Sequence, residues 1–314
     1  MENKSAIILN EIKKVIVGKD DVITKTLMAI LAGGHVLLED VPGVGKTTLA
    51  LAFSRAMNLT EKRVQFTPDT MASDIVGFSV YNKGTGAFDF QPGAVFCNIL
   101  LADEINRTSP KTQAALLEVM EEQHATVDGV TYRLPEPFVC LATQNPLGSA
   151  GTHPLPDSQL DRFMIRLSMG YPTIDNTIEI VQSRQGDDPL EHVRAVASAQ
   201  EILEMRAAVS SVYVDEALIR YAAELCDKTR HLEEVEQGVS PRAVLALVQM
   251  ARASAYMRGR NHVIPEDIQS LYVDVCAHRL VLTPRAKIRK RSPEQILTEV
   301  LRSVKAPSPA PRRK

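Results

Sequence analysis

Lys46 and Thr47, set behind the glycines of Val41-Pro42-Gly43-Val44-Gly45, have the residue types and spacing that handle phosphate. The apolar pair Leu37-Leu38 leads in through Glu39-Asp40, and Thr48-Leu49-Ala50-Leu51-Ala52 follows, so the order reads strand, loop, helix. Such a loop turns backbone N–H groups toward a phosphate chain at the start of a helix. Gly43 and Gly45 let the backbone come close to it. Lys46 supplies a point charge for the β and γ phosphates, and the Thr47 hydroxyl is placed to ligate Mg²⁺. The pattern G-x-x-x-x-G-K-[ST] is met except at its first position, where Asp40 replaces glycine. At a strand exit that side chain can point away from the phosphates. These residues imply binding of a nucleoside triphosphate.

A second apolar run, residues 97–103, ends in Asp103-Glu104. An acid at that tip can hold the Mg²⁺ hydration shell, and the next one can polarise an attacking water. A third run ends Ala142-Thr143-Gln144-Asn145-Pro146, where the Asn145 amide either positions the water or reads the γ-phosphate, or merely caps a turn before Pro146. In Leu160-Asp161-Arg162-Phe163, Arg162 is either an arginine finger supplied to a neighbouring subunit or half of a surface ion pair. Arg242, after Ser240-Pro241, opens a later helix, from which it is expected to reach the γ-phosphate across a domain cleft.

The elements that must position these groups are legible in the patterning. Helices are expected over 4–15 and 20–33, and strands at 36–39, 63–66, 97–103, 138–143 and 164–167. Ser109-Pro110 starts a helix that runs to about residue 123. Runs apolar on both faces, alternating with helices, predict a doubly wound α/β domain with a parallel sheet. Two hairpins interrupt it: 79–81 with 87–90 around Asn82-Lys83-Gly84-Thr85-Gly86, and 125–127 with 130–133 around Asp128-Gly129. Beyond Tyr171-Pro172, helical periodicity covers 174–185, 199–211, 214–231, 240–259, 265–280 and 292–304 with no buried strand. The chain therefore divides into a nucleotide-binding core over 1–172, a linker over 173–189, an all-helical domain over 190–305, and a Pro-rich basic tail over 306–314 expected to be disordered.

Composition narrows the setting. The 314 residues carry a net charge of −2, which gives no global field to recruit nucleic acid or anionic membrane. The four cysteines lack C-x-x-C spacing, and Cys97 and Cys140 read as buried small hydrophobes in a reducing compartment. No apolar run is of membrane-spanning length and no signal peptide opens the chain, so the cytoplasm is expected. The histidines show no ligand spacing, and no metal beyond Mg²⁺ is expected. The basic run Lys287-Ile288-Arg289-Lys290-Arg291 is either a solvated face or a partner-docking patch.

Together these segments resemble the AAA+ ATPases, and within them the MoxR family. Val41-Pro42-Gly43-Val44-Gly45-Lys46-Thr47 resembles Walker A, Leu100 to Arg107 Walker B, Ala142 to Pro146 sensor 1, Leu160 to Phe163 the finger segment, and Ser240-Pro241-Arg242 sensor 2. The resemblance spans roughly residues 12–301. It implies a five-stranded sheet of order 5-1-4-3-2 with a helical lid behind it. It also implies an adenine pocket lined by Val15, Ile16, Val17 and Gly18, and hairpins that are helix-2 and pre-sensor-1 inserts facing the axis of a homo-hexameric ring. The activity so implied is Mg²⁺-dependent ATP hydrolysis in a chaperone that matures partner proteins. A von Willebrand factor A (VWA) domain partner, and sometimes metal-centre insertion, go with it. Alternatives are a related motor, of magnesium-chelatase or nucleic-acid type, and a scaffold that binds ATP without turnover. The presence of Glu104 and Arg162 ranks the scaffold last.

Overall fold

The computed structural model describes residues 4–41, 43–145, 153–186 and 188–307. Pro42, Pro146 and most of the basic tail, all singled out above, lie outside the described residues. Helices α1 (Lys4–Lys13) and α2 (Asp20–Leu31) precede strand β1 (Val36–Glu39) and helix α3 (Lys46–Ala56). Then come β2 (Glu61–Gln65), α4 (Ala72–Val76), the hairpin β3 (Gly77–Asn82) and β4 (Ala87–Pro92), and β5 (Ile99–Asp103). Helix α5 (Pro110–Glu122) leads to the hairpin β6 (His124–Val127) and β7 (Val130–Arg133), then β8 (Val139–Gln144), α6 (Asp157–Leu160) and β9 (Ile165–Leu167).

Strands β2, β5, β8, β1 and β9 form one parallel sheet in that order. Renumbered over the five core strands this is 5-1-4-3-2, as the resemblance implied. Alternate residues of each strand serve different layers. Val36, Leu38, Ile99, Leu101, Val139 and Leu141 join the core on the side of α1, α2 and α3. Leu37, Leu100, Ala102, Cys140 and Ala142 face Leu116, Leu117 and Met120 of α5 on the other side. The second strand begins two residues earlier than expected, because its Glu61-Lys62-Arg63 stretch sits at a sheet edge, where charge is tolerated and blunts pairing with other chains.

Both hairpins form. Asp128 and Gly129 have φ of 50° and 80°, the two left-handed residues of a type I′ turn. Phe90 of the first hairpin stacks on Tyr132 of the second at 3.8 Å between ring centroids, so the two inserts lean on each other.

Beyond β9 come α7 (Ile174–Ser183), α8 (Ala199–Ser210), α9 (Glu216–Lys228), β10 (Val235–Gln237), α10 (Pro241–Met257), α11 (Pro265–Gln269), α12 (Tyr272–Cys276), β11 (Val281–Leu282), α13 (Pro284–Ile288) and α14 (Pro293–Ser303). Two expectations need correction here. The helix expected over 265–280 breaks into α11, α12 and a 3-10 turn, because Tyr272 and Arg279 are drawn into tertiary hydrogen bonds with Leu225 O and with residues 161–164. The region is also not purely helical: β10 and β11 pair antiparallel, in runs too short to show a period of two. Its helices share one continuous core with α1, α2 and α3. Lys25–Asp274 at 2.6 Å and Arg166–Glu294 at 2.7 Å fasten the two parts together.

His35, at the entry to β1, is buried with its partners fixed. Its Nδ1 accepts from Cys140 N at 3.0 Å, so its Nε2–H donates to Met120 O at 2.9 Å. Burial pushes this imidazole down to about 4. The unfolded chain therefore takes up a proton before the folded one does, and stability falls with pH across that interval. The contribution is complete above about 6.5, declines toward about 4, and amounts to about 3 kcal/mol over the full span. Buried His278, beside Arg279, is pushed in the same direction. We expect the unfolding free energy from urea titrations to fall between pH 6.5 and 5, with a shallower slope in His35→Gln. An equal slope in that variant would remove His35 as a source.

Candidate active site

The C-terminal edge of the parallel sheet gathers the groups expected to meet phosphate. Gly43 and Gly45 adopt φ of 84° and 96°; apart from chain neighbours, a Cβ on Gly43 would meet no described residue within 4 Å, and one on Gly45 would meet Met169 Cε at 3.8 Å. The loop thus needs glycine for its backbone and keeps open space beside it. Lys46 is buried and donates from Nζ to Asp40 O at 3.0 Å, so it lies folded back along its own loop. Asp40 is turned the other way: its carboxylate accepts from Ser168 Oγ at 2.9 Å, Met169 N at 2.5 Å and Gly170 N at 3.0 Å. The aspartate at the glycine position therefore ties the phosphate loop to the exit of β9.

Asp103 and Glu104 lie at the tip of β5. Asp103 accepts from Thr143 Oγ1 at 2.6 Å and pairs with Arg63 at 2.7 Å. Glu104 is left-handed, with φ 57° and ψ 48°, and its N–H is held by Thr143 Oγ1 at 2.9 Å. A non-glycine residue in that region costs of order 1 kcal/mol and persists where the surroundings impose it. The Glu104 carboxylate accepts from Gln65 at 2.9 Å and pairs with Arg107 at 2.7 Å. Both partners hold the same oxygen, Oε2, and so fix the orientation of the carboxylate. The Asn145 carbonyl accepts from Asn106 Nδ2 at 3.3 Å, which anchors the end of β8 near Walker B.

For a cation, the oxygens of Thr47 and Asp103 are of the hard type that suits Mg²⁺. Among the described residues no three His, Cys, Asp or Glu side chains converge into a dedicated cage. The donors suit an ion that arrives with phosphates and keeps its waters.

Beside the loop lies a cleft of about 190 Å³, lined by Val15, Ile16, Val17, Gly43, Val44 and Thr48, and closed by Thr177, Ile180 and Arg184 of the α7 segment. Gly18 has φ of 70°, and a Cβ there would stand 1.9 Å from Asn176 Nδ2. Gly18 itself does not line the cleft; it lets α7 close over it.

The two arginines lie elsewhere. Arg162 precedes β9 and α5 returns from the tip of β5, so Arg162 and the end of α5 both sit at the N-terminal edge of the sheet. There Glu121 Oε1 meets Arg242 Nη2 at 2.6 Å, and Oε2 meets Arg162 Nη1 at 3.3 Å. Arg162 also donates to Leu117 O at 2.6 Å. The thirteen residues of α5 put about 20 Å between this cluster and the Walker B end of the helix. Arg242 is therefore not poised over its own phosphate loop, as the sequence had suggested. The helix that carries it is anchored at the opposite edge, where Ser240 Oγ donates to Asp161 at 2.8 Å.

Residues 35–165 match the model of the ATPase family associated with various cellular activities (AAA), and residues 227–300 match that of the AAA lid domain. The crystal structure of a Cytophaga hutchinsonii protein provisionally named an ATPase superposes with a TM-score of 0.90 at 38% identity, over 98% of this chain and 96% of that one. The chain is 41% identical to Chaperone MoxR1 of Mycobacterium tuberculosis, over 95% of its own length and 81% of that protein's. The chain belongs to the MoxR family of AAA+ ATPases. It is also 45% identical to the uncharacterized protein YeaC of Bacillus subtilis, over 95% of this chain and 93% of YeaC. Protein MoxR of Methylorubrum extorquens is 32% identical over 96% of this chain and 93% of its own.

Within this MoxR chain, sequence reasoning passed over Gln65 and Arg279, and it gave Arg107 and Glu121 no role of their own within the segments that contain them. Glu121 left a signal: Glu121-Glu122 close a helix, where the macrodipole disfavours acids unless cations stand by. Arg279 is buried and donates to Asp161, Phe163, Met164 and Val275, clamping the segment that carries Arg162. No helix among the described residues is long and apolar enough to cross a membrane. Asp40→Gly would restore the glycine of the usual phosphate loop and remove three hydrogen bonds to a buried carboxylate. We expect it to lower stability by about 2–4 kcal/mol in urea titrations, each such bond being worth about 1.5–3 kcal/mol before compensation. Unchanged stability would show that the tie to β9 contributes nothing.

Proposed function

We propose that the chain hydrolyses ATP to ADP and phosphate with Mg²⁺, as the protomer of a homo-oligomeric, hexameric ring in the cytoplasm. One observation carries this: the phosphate loop and the arginines of one protomer lie at opposite edges of the same sheet. A protomer whose own arginines stand that far from its phosphate site supplies them to a neighbour. Val15, Ile16, Val17 and Thr48 hold the base side of the nucleotide, with Gly18 seating α7 over it. Pro42, Gly43, Val44, Gly45 and Lys46 bind its phosphates. Thr47 and Asp103 hold the Mg²⁺, which neutralises charge developing on the phosphates. Glu104, its carboxylate oriented by Gln65 and Arg107, takes the proton from the attacking water, and Asn145 orients that water. Arg162 and Arg242 reach the γ-phosphate of the next protomer.

Residues 1–172 are the nucleotide-binding core, 173–189 the linker, 190–305 the lid and 306–314 a tail. The client is a protein. The first hairpin exposes Phe78, Val80, Tyr81 and Phe88, an aromatic and aliphatic surface rather than the row of cations that a nucleic-acid backbone requires. A VWA-domain partner and metal-centre maturation are the family-level extension of that role.

Arg162→Ala should reduce turnover by on the order of 10³-fold while ATP binding stays nearly intact. Glu104→Gln should also bind ATP without hydrolysing it. Coexpressed in one ring, the two variants complement each other, because the intact Glu104 of one protomer then meets the intact Arg162 of the other. Recovered steady-state ATPase activity in the mixture supports supply in trans. Turnover surviving in Arg162→Ala alone, or no recovery on mixing, overturns it.

A further inference from the structure

Given the role proposed above for Arg162, on which this rests, we propose that Glu121 is a positioning residue that presents Arg162 and Arg242 together as one two-armed anion receptor for the neighbouring protomer's nucleotide. The carboxylate is shared, with one oxygen on each guanidinium, at 2.6 and 3.3 Å. Two like charges brought so close repel each other strongly in a partly desolvated site, and a carboxylate between them removes most of that cost. It also leaves the pair with a net charge of +1, which still attracts a γ-phosphate.

The hydrogen-bonding capacity fits this role. Each guanidinium offers five N–H donors in a planar fork. Among the described residues, a single terminal nitrogen of each arginine is engaged: Nη1 of Arg162 by Glu121 and Leu117 O, and Nη2 of Arg242 by Glu121. Among the described residues nothing engages Nε or the other terminal nitrogen of either, which leaves them to an incoming phosphate. Glu121 can therefore keep its grip while the arginines act, which is alignment rather than blockage.

The mounting is built to keep the two arms in register. Asp161, next to Arg162, accepts from Ser240 Oγ at 2.8 Å and 3.0 Å, and Ser240 is the residue before the helix that bears Arg242. Buried Arg279 donates to the same aspartate from Nε at 2.7 Å. The backbones of the two arginines are thus joined through Asp161, and their side chains are joined through Glu121. Glu121 is the part of this assembly that touches both guanidinium groups.

The test uses the assembled protein. Glu121→Gln should lower kcat for ATP at least tenfold, with KM and the affinity for a fluorescent ATP analogue within twofold of wild type, since the nucleotide is held by other residues. Glu121→Asp, which keeps the charge on a shorter arm, should be intermediate. Coexpression of Glu121→Gln with Glu104→Gln should restore activity, as is expected for Arg162→Ala, because the defect acts on the neighbour's site. A carboxylate that merely stabilised its own protomer would give a defect that mixing does not cure. Wild-type turnover in Glu121→Gln, or a defect uncured while that of Arg162→Ala is cured, overturns the proposal. Failure of the Arg162→Ala mixture as well would instead remove the trans role on which it rests. If Glu121→Gln does not fold, Glu121→Asp carries the same comparison.

Discussion

The polarity of the parallel sheet is the constraint on which the rest of the structure depends. Strand β1 is hydrogen-bonded on both sides, to β8 and to β9, with registers that admit no slip because alternate residues fill opposite cores. Every loop leaving a strand end therefore faces one way, and every segment entering a strand faces the other. The phosphate loop, Asp103-Glu104 and Asn145 leave strands; His35 and Arg162 enter them. On the function proposed above, chemistry that needs both sets is divided between two molecules.

The lid shares a core with α1, α2 and α3, and it is pinned through Lys25–Asp274, Arg166–Glu294 and the Arg279 clamp. Burial on that scale makes the angle between the two parts expensive to change. Arg242 is consequently held against Arg162 at the entry edge.

Much of this was legible in the residues. The phosphate loop, the acids after β5 and the Asp128-Gly129 turn are local, so their chemistry is written within a few positions. The sheet strands were legible because fully buried strands read as apolar runs. The edge strand β2 was only half visible, since its charged residues serve an exposed edge. The destination of Arg242 was not legible, because it depends on Asp161 and Arg279, which lie 81 positions before it and 37 after. Short elements such as β10, β11, α4 and α13 carry too few residues for a period to declare itself. Glu121 was overlooked as one acid among many, although its place at a helix end made it an unfavourable acid that needed cations.

The aspartate at position 40 has a mechanical meaning. Its carboxylate holds residues 168–170, at the far end of a short strand whose near end emerges from the segment bearing Arg162. That stretch is stiff: it is braced by β1 along one side and clamped by Arg279 at its start. A displacement of the phosphate loop would therefore pass to β9 through the three hydrogen bonds that one carboxylate accepts. In a closed ring of such protomers, the occupancy of one pocket would set the aim of the arm serving the next.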